Sequence, residues 1–164
     1  MPLSLSAMSL FAQTQGSEAP LSDWITHLVK WMGAFHPAAV HFPIALLLTA
    51  AALEVVSVWL KDHSGLRFAI IVNLALGALG AIVASTLGWM DAAHMSFESD
   101  LQPVLAWHRW LGTSVGVCSL IITALSFGLG RTGSAASLWI YRVLLWLLAL
   151  AVGITGYLGG RLAG

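Results

Sequence analysis

Residues 38–60 read AAVHFPIALLLTAAALEVVSVWL, and one charged side chain, Glu54, interrupts the run. A bilayer's hydrocarbon core is about 30 Å thick, so a helix of about 20 apolar residues spans it. Three further stretches have the same character: 67–90, 103–129 and 137–159. All are too long for strands, and none alternates with a period of two. The turns between them are polar and glycine-rich: Lys61 to Gly65 after the first, and Gly128 to Gly133 after the third. A longer link with Asp91, His94, Glu98 and Asp100 joins the middle pair. The expected fold is therefore an all-α membrane protein, a four-helix up-and-down transmembrane bundle.

The whole chain agrees with that stretch. Of 164 residues, 59% are hydrophobic and 9% charged, against about 25% charged in an ordinary soluble domain. Mean hydropathy is +0.87. This excludes intrinsic disorder and argues against a stand-alone soluble enzyme; a non-catalytic redox or accessory subunit is the better expectation. Formal net charge is zero, so no basic field attracts nucleic acid. The single cysteine, Cys118, excludes an intrachain disulfide and a Cys-x-x-Cys-His haem attachment. Trp59, Trp89, Trp107, Trp110 and Trp139 lie near span ends, as an interfacial belt requires, and Trp146 does not.

Three parts are expected. Residues 1–20 read as a mobile tail or a signal-like remnant without the basic leader of a full signal peptide. Residues 21–33, LSDWITHLVKWMG, place Leu21, Trp24, Ile25, Leu28 and Met32 at helical spacing, with Asp23, His27 and Lys30 facing away. That pattern suits a short amphipathic helix in the membrane interface or one docked on a partner. Residues 34–164 form the transmembrane domain. Lys61, Arg67, Arg131 and Arg142 flank one side, and Lys30, Arg109 and Arg161 the other. The positive-inside bias then puts both termini in the periplasm and the chain in a bacterial inner membrane.

Chemistry can live only in the histidines. His27 and His63 sit in polar segments. His36, His41, His94 and His108 share the predicted outer side. Pro37 can open the first span and Pro103 the third, which puts His41 and His108 in the second turns of diagonal helices at similar depth. Each heads a stripe of small residues: Ala45 and Thr49 after His41, Gly112 and Gly116 after His108. Two diagonal imidazoles above small residues are what a b-type haem needs as axial ligands and ring space. Small stripes are also the ordinary packing device of membrane helices. His36 competes for the first-span position; on a regular helix it lies about 140° from His41, so both cannot face one iron. His94 with Met90, Asp91 and Met95 offers no convincing set for copper or zinc. At the other end Glu54, Asn73 and Arg142 share a depth, and a buried Glu54–Arg142 pair with Asn73 close by is expected as a structural lock.

HPAAVHFPIALLL, residues 36–48, resembles the opening of a bacterial family of four-helix integral membrane proteins of unassigned function, marked by His-Pro-x-x-x-His-Phe-Pro-Ile-Ala. WHRWLG, with His108, resembles that family's opening of the third span. The resemblance covers roughly residues 33–162. It implies a membrane location and a relationship to b-type cytochromes. Where the family carries a fourth-span histidine before Gly-Gly, this chain has Tyr157 ahead of Gly159 and Gly160. A tyrosine there can still bond a propionate or a quinone oxygen.

Two functions remain open at this point. One is an electron-transfer subunit with haem b on His41 and His108, His36 nearby, and Arg109 or Arg161 neutralising propionates. Its partners would be a periplasmic electron carrier, a quinone or other membrane subunits. The other is a cofactor-free accessory subunit of a larger membrane complex. A transporter is disfavoured, since no span is broken at its midplane.

Overall fold

The computed structural model describes the backbone of residues 20–60, 64–132 and 134–164. The tail or signal-like remnant expected over 1–20 lies, but for Pro20, outside the described residues, as do Lys61, Asp62, His63 and Gly133 of the two turns. Among the described residues six helices follow in chain order: α1 (Pro20–Gly33), α2 (His36–Ala39), α3 (His41–Ser57), α4 (Ser64–Ala92), α5 (Gln102–Thr132) and α6 (Ala135–Ala163).

The first span differs from its sequence reading. It is not one regular helix from residue 38. Instead α1, α2 and α3 follow one another along a bent rod, Asp23–Ser57. Two prolines explain the breaks. A helix needs the N–H of each residue to reach the carbonyl four positions back, and proline has none. Pro37 leaves the carbonyl of Gly33 without that partner, and α1 ends at Gly33. Pro43 does the same for Ala39, and α2 ends at Ala39. The other three spans overrun their sequence limits by a few residues at each end.

Helices adjacent in the chain pack side by side, and α6 closes the ring against α3. Small residues set the spacing. A side chain on Gly77 would fall 2.8 Å from Leu47 of α3, and one on Gly116 of α5 would fall 3.1 Å from Ile82 of α4. Their order along the chain makes each neighbouring pair antiparallel, so α3 and α5 stand on one diagonal. Helix α1 lies along α4. It approaches so closely that a Cβ on Gly33 would sit 2.6 Å from the backbone of Asp91.

The core is a narrow axial column of Leu47, Ala50, Ile70, Leu74, Tyr141 and Leu145. Ser119, Thr123 and Ser126 enter it by returning their hydroxyls to carbonyls of their own helix. The outside is also apolar: Phe68, Leu79, Val83, Ile121, Ile140, Leu147 and Leu150 are all exposed. A bundle facing water would be polar there. Among the described residues four helical segments, the Asp23–Ser57 rod, α4, α5 and α6, are long and apolar enough to cross a membrane, and their unpaired apolar surface belongs in a lipid bilayer.

Candidate functional site at the histidine end

Where α2 enters the bundle, the His36 ring turns inward to α4 and its Nδ1 lies 2.9 Å from the carbonyl oxygen of Ala84. On the diagonal helix, His108 Nδ1 lies 3.0 Å from the carbonyl oxygen of Thr155 on α6. A carbonyl only accepts, so each Nδ1 must donate. In the neutral rings this leaves the Nε2 lone pair free, the arrangement that orients ligating histidines generally. The two rings meet edge to face, with centres 6.0 Å apart and planes at 75°.

Glycines make room for both rings. A Cβ on Gly88 would fall 2.8 Å from His36 Cε1, and a Cβ on Gly159 would fall 2.9 Å from His108 Cε1. Around the rings lies a cavity of about 530 Å³, within the usual range for ligand sites. Its wall is mostly apolar, with Ile44, Leu105, Val115 and Val152 among the lining residues. Arg109 supplies a fixed cation at the wall. Its guanidinium stacks 3.6 Å from the centre of the Trp89 ring, and its buried Nε has no hydrogen-bond partner. The Trp89 indole N–H is in turn held by Thr113 at 3.0 Å.

The residues singled out in the sequence therefore separate. His36, His41, His108, Arg109 and Gly112 all line the cavity. His36 is the first-span histidine that meets His108; His41 is exposed. The proline-broken helix shifts the phase on which the His41 stripe depended. Gly116 lies off the cavity wall and packs on Ala81 and Ile82 of α4. Ala45 is exposed, on the same outer side as His41. Tyr157 is 68% exposed, because Thr155, Gly156, Gly159 and Gly160 occupy the inward face of α6. His94 is exposed, and among the described residues no three His, Cys, Asp or Glu side chains are grouped to hold a metal ion. Sequence reasoning missed Gly88, and it met Gly159 only as part of the motif after Tyr157, with no link to His108. Their signal, a glycine one turn beyond the carbonyl that holds a histidine, exists only across helices.

At the opposite end Arg142 Nε donates to Glu54 Oε1 at 2.9 Å, and Arg67 Nη1 stands 3.7 Å from Glu54 Oε2. Ser57 also donates to Glu54. Arg67 reaches across to the carbonyl of Ser126 at 2.6 Å. Asn73 does not join this cluster as its depth suggested; its amide donates to Ala69 of its own helix. Arg67 takes that place, because its longer side chain reaches the carboxylate from the start of α4.

Fold and site together define an integral membrane four-helix bundle with a two-histidine cavity at one end. The chain belongs to the family described as predicted membrane protein DUF2231, whose model matches residues 33–164. No curated protein and no solved structure matches it.

Proposed function

We propose that the chain is a membrane electron-transfer subunit that holds a b-type haem between His36 and His108. The observation that carries this reading is the meeting of the two rings across the cavity. With each Nδ1 committed to a carbonyl, both neutral rings would keep Nε2 free to hold a metal-bearing group between them. The ring centres are 6.0 Å apart. His36 and His108 would be the protein ligands of such a group, within a mostly apolar cavity.

The division of labour follows from the residues. His36 and His108 would hold the group, with Ala84 and Thr155 fixing their tautomer. The mostly apolar wall would receive the flat face of the group. Arg109 offers its unpaired Nε to a carboxylate edge, and His41 stands at the same wall. When bound, haem supplies one-electron redox chemistry at its iron; the protein contributes ligation, burial and tuning of the potential. A quinone or a periplasmic carrier is the exchange partner in this reading. The protein would sit in a bacterial inner membrane, its histidine end outward, since Arg67 and Arg142 mark the opposite side.

A reduced-minus-oxidised optical spectrum of the purified chain, expressed with haem available, tests this. Sharp Soret and α bands, lost in both His36→Ala and His108→Ala, are expected. A folded, colourless protein would overturn the reading and leave the accessory subunit. Bands that survive His36→Ala and vanish in His41→Ala would move the first ligand to His41.

A further inference from the structure

The bundle contains an internal repeat that its sequence hardly shows. A shift of 72 positions carries His36 onto His108. The same shift carries the buried residues of α3, which are Pro43, Leu47, Ala50, Ala51 and Glu54, onto α5. They land on Val115, Ser119, Ile122, Thr123 and Ser126, every one of them buried. A shift of 71 carries Ile70, Leu74, Gly77 and Ala81 of α4 onto Tyr141, Leu145, Leu148 and Val152. Those four are the buried residues of α6. The residue types differ, so the match lies in position and not in chemistry. With α3 and α5 on one diagonal, these buried positions of the α3–α4 hairpin recur in the α5–α6 hairpin, although α4 packs against α5 far more extensively than α6 does against α3.

The histidine surroundings obey the same operation. Ala84, which accepts from His36, maps onto Thr155, which accepts from His108. Gly88, against the His36 ring, maps onto Gly159, against the His108 ring. In each half the glycine lies one helical turn beyond the accepting carbonyl. We propose that the site is one half-site built twice, in which Gly88 and Gly159 are equivalent positioning residues for the two imidazoles. Each glycine lets a ring lie flush against the neighbouring helix, and the carbonyl one turn away stops that ring from rotating. A Cβ at either position meets Cε1, the atom between the two ring nitrogens, and so must move the ligating Nε2 and the tethered Nδ1 together. The equivalence stands on the ligand-free protein; only its consequence for binding rests on the haem reading.

Nitrogen NMR of histidine-labelled, detergent-solubilised full chain without haem tests the half-sites, with signals assigned through His36→Ala and His108→Ala. Both rings should show the Nδ1–H form. Gly88→Ala should displace the His36 signals and spare those of His108, and Gly159→Ala should do the reverse. Gly153→Ala, which meets open space, should move neither. Haemin titration should weaken by about tenfold or more in both glycine variants and by similar factors, the usual cost of disturbing what orients a ligand. A glycine variant that leaves its own histidine in place, or two variants with unequal effects on haemin, overturns the proposal. If Gly88→Ala does not fold, the His36→Ala/Gly88→Ala double variant decides. Restored folding puts the clash at the ring as proposed, and continued unfolding refutes it. Wild-type protein that ignores haemin defeats the haem reading, while the nitrogen signals still decide the half-sites.

Discussion

The two ends of the bundle handle buried polarity in opposite ways. At one end Glu54, 2% exposed, is gripped by Arg142 and approached by Arg67, and Arg67 continues to Ser126. Those contacts join α3, α4, α5 and α6, so a single carboxylate ties the ring shut. At the other end, each histidine is bound only to the helix beside it, and between them lies a cavity. Charges in a low-dielectric interior are tolerated when paired, and removing one partner leaves the other stranded. A neutral imidazole carries no such penalty. The ion-paired end can therefore carry stability while the histidine end keeps space for a ligand.

That contrast can be broken by substitution. Glu54→Ala should be the most damaging change, since two arginines would then face each other without a counterion inside the bundle. A loss of about 3–5 kcal/mol is expected, read from unfolding of the detergent-solubilised protein. An unchanged midpoint would mean that the ion-pair end locks nothing. Between the ends, Gly77→Ala forces a Cβ against Leu47 and should cost about 1–3 kcal/mol in the same measurement.

At the histidine end the expected effects on stability shrink. His36→Ala removes one hydrogen bond to a carbonyl already used by its own helix, so ligand-free protein should lose about 1 kcal/mol. Its loss of the haem spectrum would nevertheless be complete. A destabilisation as large as that of Glu54→Ala would erase the distinction between the two ends. His41→Ala should be the mildest change, within about 0.5 kcal/mol, as for most exposed positions. Haemin titration of this variant should match wild type; a tenfold loss would show that the exposed imidazole shares in ligation.

Much of this architecture is legible along the chain. Four apolar runs separated by polar turns dictate four spans, because the hydrocarbon core sets the length and every backbone group must be paired within it. The meeting of Glu54 and Arg142 follows from counting residues from span ends, since depth needs only the helical rise. Asn73 has the same depth and a shorter reach, and it satisfies itself within α4. Depth alone does not say which neighbour a side chain faces.

The choice between His36 and His41 is of that second kind. Counting helical phase works while the helix is regular, and Pro37 and Pro43 interrupt it on either side of the two histidines. Past such a break the direction of each ring depends on which carbonyl and which glycine the neighbouring helix presents. Hydropathy and spacing determined a membrane bundle with four of its six histidines at one end. Only the packed helices decided which two rings meet, because Ala84, Gly88, Thr155 and Gly159 stand far from their histidines in the chain and come beside them through close helix contact.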